Sequence, residues 1–342
     1  MDVISNCVCV NKKDAKKVLD ILKNGNALRS GLKPKRIEDK IAFAVSQVEL
    51  TRGLLEKSGV TFEICKDSFE KYKYSFKRLS EVIPGISSYL IIGDIAIINY
   101  KKDMGLLKKA ARQIMEMNPR IKAVYAKTAT LGEFRIPELI LLEGEDKRLT
   151  IHKENGLRFY IDLAKAYFNP RLAGEHMRIA DLIDDGDSVL DMFTGIGGFS
   201  INIAKKRKAN ILGVDINPYA IYLAERNYHI NKKILKGDVT FMRADSSRLD
   251  KIIANKFNKI IMNNPTMSIN YLSSACNLLE KGKSTIFLYV LESKNSNILN
   301  KIRGSIKCPY SFEVGKPRKV IEYSPSMSIY EIDIVTWVTV SP

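Results

Sequence analysis

The chain has 342 residues, too many for one compact core, so two or three domains are expected. It is 45% hydrophobic and 27% charged, an ordinary soluble composition with enough apolar mass for real cores, and no run reaches the length of a membrane span. Lys and Arg number 55 against 38 Asp and Glu, a formal net charge of +17 spread along the chain; this favours a polyanionic partner, most simply nucleic acid, over the plainer explanation of a lysine-rich proteome.

The first segment reads as a small α/β module ending near Glu63. Val8–Val10 and Lys40–Val45 are strand-like, and Asp14–Lys23 carries Ala15, Val18, Leu19 and Leu22 at helical spacing. The opening MDVISNCVCVNKKD lacks the apolar core of a signal peptide. The five cysteines, Cys7, Cys9, Cys65, Cys276 and Cys308, show no CxxC or His-paired spacing, so neither zinc nor a disulfide framework is indicated and a reducing cytoplasm is expected. His152, His176 and His229 are too scattered to suggest a metal site.

The middle segment opens with a basic, aromatic-rich run at 71–78. Apolar strands at Leu90–Ile92 and Ile95–Tyr100 are joined through Gly93-Asp94. Asp103 is placed to cap a helix reaching Met117, and Glu138–Leu142 reads as a further strand. Asn155-Gly156 between Thr150–Glu154 and Leu157–Asp162 is a strong hairpin signal.

From Ser188 the pattern becomes strand–helix alternation, with strands expected at Ser188–Met192, Ile211–Val214, Val239–Arg243, Lys259–Met262 and Thr285–Val290. Lys316–Tyr323 and Ser328–Thr339 then read as two strands joined at Ser324-Pro325 with no helix between them. The expected fold is α/β: a doubly wound, mostly parallel Rossmann-like sheet closed by a C-terminal antiparallel hairpin. Two smaller α/β parts precede it, giving domains at 1–63, 64–165 and 166–342.

The chemistry concentrates after the first strand of that sheet. Asp191 ends the strand and runs into Thr194-Gly195-Ile196-Gly197-Gly198, a turn that lets backbone approach a ligand at a helix N-terminus. Ser200 stands where a dinucleotide fingerprint needs a third Gly or Ala. A carboxylate before the turn would repel a pyrophosphate but can hold an ammonium group, and Asp215 at the end of the second strand is placed for ribose hydroxyls. This pairing suits S-adenosylmethionine, with Asp245 after the third strand within reach of the adenine amine. The plainer alternative makes Asp191 and Asp215 helix caps in a structural sheet. Asn217-Pro218 reads as a cap with proline in the first turn.

Met262-Asn263-Asn264-Pro265 follows the fourth strand, so Asn263 is expected to face the transferable methyl. Thr266 stands where many amino-group methyltransferases carry an aromatic residue, which leaves a ring nitrogen as the better target. Methylating N1 of guanine needs a base for its proton and a cation for the charge developing on O6. Glu175 and Arg171 offer such a pair, although a surface ion pair would show the same spacing.

These residues together resemble the archaeal and eukaryotic tRNA (guanine-37-N1)-methyltransferases over nearly the whole chain. The resemblance is carried by Gly132-Glu133-Phe134-Arg135, His152-Lys153-Glu154-Asn155-Gly156, Tyr167-Phe168-Asn169-Pro170-Arg171-Leu172, Asp191-Met192-Phe193 with its glycines, Asp215-Ile216-Asn217-Pro218 and the Met-Asn-x-Pro motif at 262–265. It implies Glu175 as general base, Arg135 as the group stabilising charge at O6, and Tyr167, Arg171, Asn263, Asn264 and Pro265 around the target base. Asp191, Phe193, Gly195, Gly197, Asp215, Asn217 and Asp245 would hold S-adenosylmethionine. It also implies tRNA as partner, RNA binding by the first two domains, action as a monomer without a membrane, and in some archaeal relatives a second methylation of the wyosine precursor. Asn264 replaces the family's usual leucine. Aminocarboxypropyl transfer from the same cofactor is the runner-up, and a non-catalytic tRNA-binding protein a further alternative.

Overall fold

The computed structural model describes residues 2–29, 31–71, 79, 83–86, 88–132, 134–294 and 296–337. The run at 72–78, Glu133 and the last two residues of the expected final strand, 338–339, lie outside the described residues. The chain divides into two compact units, 1–87 and 88–342.

In the first unit, strands β1 (Val3–Asn11), β2 (Lys35–Ile37), β3 (Lys40–Ala44) and β4 (Phe62–Phe69) form an antiparallel sheet in the order β2-β3-β1-β4. Side chains alternate across a strand. Val8 and Val10 therefore pack with Val18 and Leu22 of helix α1 (Ala15–Asn24) and Leu55 of α2 (Val48–Glu56), while Cys7 and Cys9 fall on the opposite face with Ala42, Ala44 and Phe69. The sheet continues past Glu63, which lies inside β4. Neither α2 nor β4 was expected: β4 reads FEICKDSF, half polar and without clean alternation, and forms because β1 pairs along it.

The second unit begins with β5 (Leu90–Ile92), β6 (Ile95–Asn99), β7 (Ala123–Leu131) and β8 (Ile136–Gly144), a sheet in that order. Helix α3 (Met104–Met117) crosses between β6 and β7, the one parallel pair, and buries Leu107, Ala110, Ala111 and Ile114. Asp103 caps it as expected, its carboxylate accepting the Leu106 N–H at 2.9 Å. The hairpin β9 (Leu149–Glu154) and β10 (Leu157–Asp162) turns at Asn155 and Gly156, both with positive φ, 51° and 76°, as a type I′ turn requires.

The large sheet contains β11 (Ser188–Asp191), β12 (Asn210–Asp215), β13 (Asp238–Arg243), β14 (Lys259–Met262), β15 (Ser284–Ser293), β16 (Ser311–Val314), β17 (Arg318–Glu322) and β18 (Met327–Trp337). Its order is β13-β12-β11-β14-β15-β18-β16, with β17 paired to β18. The first five strands are parallel; β18 runs antiparallel to β15, so the expected antiparallel closure is present, with β16 as an unforeseen further strand. Period-two alternation sorts the core. Val189, Ile261 and Tyr289 pack on the face covered by helices α4 (Ala173–Leu182), α5 (Gly198–Lys206) and α6 (Pro218–Asn231). Leu190, Ile260 and Leu288 pack on the other, with α7 (Leu249–Ile252), α8 (Leu272–Asn277) and α9 (Ile298–Ser305).

Strand order reverses between β11 and β14, the switch point at which open α/β sheets bind ligands beyond the carboxyl ends of their strands. One expectation is corrected here. Cys276, in α8, is disulfide-bonded to Cys308 with Cα atoms 5.1 Å apart, across a sequence separation of 32 that no short spacing rule detects. Among the described residues, no helix is long and apolar enough to cross a membrane.

Candidate active site

A cavity of about 490 Å³ opens at the switch point, within the range of small-molecule sites. One wall is the glycine turn after β11. Gly195 and Gly197 have φ of +54° and +91°, conformations that L side chains rarely adopt. A Cβ on Gly195 would meet no protein atom within 4 Å, so that backbone faces open space, whereas one on Gly197 would strike Ile201 at 2.8 Å. Asp215 closes the turn from below: its carboxylate accepts the Gly195 N–H at 2.8 Å and the Asn217 N–H at 2.9 Å. Burial nonetheless pushes its pKa above the ordinary carboxylate value. Asn217 caps α6 through the Tyr219 N–H and donates to the Lys165 carbonyl at 2.7 Å. Phe193 and Asp245 line the cavity, and Phe193 meets Tyr271 edge-on at 5.2 Å.

Asp191 is placed differently from the expectation. It is fully buried and does not line the cavity; its Oδ2 accepts the Ser200 hydroxyl at 2.8 Å, while Oδ1 has no hydrogen-bond partner among the described residues. Burial raises its pKa to about 6. An unsatisfied carboxylate beneath the turn fits a cationic ligand above it through its field, and the carboxylates at both strand ends fit S-adenosylmethionine better than a pyrophosphate.

The opposite wall is the segment after β14. Asn263, Asn264, Pro265 and Thr266 all line the cavity. Ser268 pins this turn: its hydroxyl accepts the Asn264 N–H at 3.0 Å and reaches the Met262 carbonyl at 2.8 Å. Arg135 arrives from the β7–β8 connection with φ of +55°, and its Nη1 donates to Thr266 Oγ1 at 2.8 Å. Thr266 in turn reaches Asn264 Oδ1 at 3.3 Å, and the Arg135 guanidinium lies 5.6 Å from the centre of the Tyr167 ring. Arg135, Tyr167, Asn264 and Thr266, remote in sequence, thus converge on one edge of the cavity, whose lining also includes Arg171 and Asn263.

Glu175 is not part of that wall. It is 7% exposed, and its Oε1 accepts from Arg178 Nη2 at 2.8 Å, the Tyr289 hydroxyl at 2.6 Å and Arg318 Nη2 at 2.5 Å. Burial opposes its ionisation, but the donated bonds from Arg178, Tyr289 and Arg318 outweigh burial and hold the carboxyl below its ordinary value. The same two arginines contact Glu331, at 2.9 Å from Arg178 and 3.2 Å from Arg318. Burial and the adjacent Asp333 push Glu331 up to about 7. The expected base therefore sits in a buried charge network beside the cavity.

Sequence reasoning missed His176, Phe168 and Tyr323 in the cavity wall. His176 Nδ1 lies 2.6 Å from the buried Glu154, and its imidazole stands where a Cβ on Gly198 would fall, at 2.8 Å. No spacing signal links Glu154 to His176, because the link is made by hairpin β9–β10 packing beside α4 and α5. Tyr323 follows β17, the first strand of the C-terminal hairpin, and comes to the cavity through the long-range pairing of that hairpin with the sheet.

Residues 150–308 match the TRM5/TYW2 methyltransferase domain, and residues 77–147 match the TYW2 N-terminal domain. The chain is 31% identical over 344 residues to the tRNA (guanine(37)-N(1))-methyltransferase Trm5b of Methanocaldococcus jannaschii, covering 96% of this chain and 97% of that protein. It is 39% identical over 173 residues to the tRNA (guanine(37)-N(1))/4-demethylwyosine(37)-methyltransferase Taw22 of Nanoarchaeum equitans, covering 50% of this chain and 56% of that one. Crystal structures of Trm5b from Pyrococcus abyssi and of an aTrm5 complex with tRNALeu each superpose with a TM-score of 0.67 at 31% identity, covering 97% and 96% of this chain and 99% of each of theirs. Similarity over the full length, together with a cavity at the switch point, shows that the chain belongs to the TRM5/TYW2 family of tRNA (guanine-37-N1)-methyltransferases.

Proposed function

We propose that the cavity transfers the methyl group of S-adenosylmethionine to N1 of guanosine 37 in tRNA. The observation that carries this reading is the convergence of Arg135, Tyr167, Asn263 and Asn264 on one edge of a cavity whose other edge is the glycine turn. The cofactor supplies an electrophilic methyl on a sulfonium. Gly195, Phe193, Asp215, Asn217 and Asp245, which line the cavity, would hold it; Gly197 lies outside that lining and shapes the turn, and Asp191 favours the positive charge from beneath the turn. Tyr167 and Arg171 shape the opening for the base, Pro265 fixes the turn, and Asn263 faces the methyl. Arg135, held by Thr266, offers its guanidinium to the oxygen on which charge develops.

Glu175 is assigned the N1 proton. Its Oε1 accepts from Arg178, Tyr289 and Arg318 and its Oε2 from Arg178 Nε at 3.2 Å, so both arginines must turn away before the carboxylate can take that proton. Arg318 lies on β17, and Ile321 and Glu322 of that strand line the cavity. A base seated there would press on the same strand that covers the carboxylate. We further assign the first compact unit, residues 1–87, to reading the tRNA corner, and within the second unit the part up to 165 to RNA binding and 166–342 to catalysis, with action as a cytoplasmic monomer. The test is nucleoside analysis of tRNA after reaction with methyl-labelled cofactor: 1-methylguanosine supports the reading. Label transferred only from a carboxyl-labelled cofactor would replace it with aminocarboxypropyl transfer. Asn264, polar where the family usually has leucine, is the residue through which 4-demethylwyosine would be accepted as a second substrate.

A further inference from the structure

The first unit holds a second cluster of reactive side chains. β1 and β4 pair with Cys7 directly opposite Cys65, and Cys9, two residues along, shares their face of the sheet. The three Sγ atoms all lie within 4.8 Å of one another, and those of Cys9 and Cys65 are 2.6 Å apart. Cys7 and Cys9 are buried and Cys65 is half-buried. Around them the face is apolar, built from Ala42, Ala44, Phe69, Leu32 and Ile37. Packing alone explains why small side chains are buried here. It does not call for three sulfurs pointing at one spot, and a disulfide between any two would leave the third thiol pressed against it.

We propose that Cys7, Cys9 and Cys65 together bind one thiophilic d10 cation, Zn(II) or Cu(I), through three thiolates. Metal–sulfur bonds of about 2.3 Å set the ligand sulfurs about 4 Å apart. The cluster meets this once Cys9 and Cys65, now 2.6 Å apart, part by about 1.4 Å, a side-chain rotation on a fixed strand pair. Soft thiolates select these ions over Mg(II), Ca(II) or Mn(II). Among the described residues no fourth His, Cys, Asp or Glu joins the group, so Cu(I) would be trigonal and Zn(II) would take its fourth ligand from solvent. Burial, before the mutual repulsion of the sulfurs, raises the thiol pKa values of Cys7 and Cys65, so each proton leaves for solvent only as a sulfur–metal bond forms. The ion would tie β1 to β4, the pair that closes the first unit, and leave the methyl-transfer cavity untouched.

The test uses full-length protein prepared anaerobically with reductant and stripped with a chelator. It is loaded separately with Zn(II) and with buffered Cu(I), and metal content and thiolate-to-metal absorption are measured. The expected result is about one ion per chain with at least one of the two metals, and a loss of roughly tenfold or more in affinity for Cys65→Ser, with Cys276→Ser unchanged. Substoichiometric uptake of both metals by the unaltered chain would overturn the proposal whatever the variants do. So would full retention by Cys65→Ser, or a Cys9–Cys65 disulfide mapped in the anaerobic protein.

Discussion

Arg318 Nη2 lies 2.5 Å from Glu175 Oε1, joining strand β17 to the first turn of α4. Glu175→Gln keeps the shape of that carboxyl group but cannot take a proton. It is expected to retain cofactor affinity by calorimetry and to lose about 10²–10⁴-fold in single-turnover rate. Near-normal turnover would remove Glu175 from the chemistry and leave it as an anchor for β17.

Arg318→Ala separates those roles by pH. Arg318 helps hold the Glu175 carboxyl below its ordinary value in the free enzyme, so removing the guanidinium raises that pKa and moves the acid limb of the kcat/KM profile to higher pH. An unshifted limb, measured in single-turnover assays across the acid range, would show that Arg318 does not govern the base.

Asp191 is expected to make cofactor binding pH-dependent. Burial raises its folded pKa to about 6 from an unfolded value of 3.8. Between those values the folded state holds the extra proton, so folding stability falls as pH rises while the negative charge under the turn develops. Affinity for the cationic cofactor is therefore expected to strengthen as pH rises through about 6, and Asp191→Asn to flatten that rise. Calorimetric affinities measured on either side of that pH decide it; identical pH dependence in the variant refutes the role.

The two glycines of the turn should fail differently. Gly195→Ala adds a methyl into open space at φ +54°, at a cost of about 1–2 kcal/mol for the left-handed backbone, and should chiefly weaken cofactor binding. Gly197→Ala adds the same strain plus a collision with Ile201 at 2.8 Å, so it should lower the melting temperature more. Equal melting temperatures would contradict this account of the turn.

Arg135 and Thr266 act through one hydrogen bond of 2.8 Å. Arg135→Ala should lower the single-turnover rate by about 10²–10³-fold, and Thr266→Val by roughly tenfold at most, because only the tether is lost. A Thr266→Val loss as large as that of Arg135→Ala would mean that the threonine itself contacts the base.

Local signals were read correctly where the physics is local. Asp103 capped its helix, Asn155-Gly156 made its hairpin, Asn217-Pro218 opened α6, and the glycine turn after Asp191 formed with two positive φ angles. Long-range consequences escaped. β4 exists because β1 pairs with it, and Cys276 meets Cys308 through packing of α8. Arg318 and Tyr289 reach Glu175 only through the sheet order β15-β18 with β17 alongside, which periodicity does not encode. For the same reason Glu175 was expected at the cavity wall and stands in a buried ion network instead.

The central claim is methyl transfer to N1 of guanosine 37. The most direct measurement is incubation with methyl-labelled S-adenosylmethionine and a tRNA transcript bearing guanosine at position 37, followed by nucleoside analysis. The account predicts label recovered as 1-methylguanosine and lost when position 37 is changed to another base. Label at any other nucleoside, or none transferred to tRNA by protein that binds both cofactor and tRNA, would contradict it.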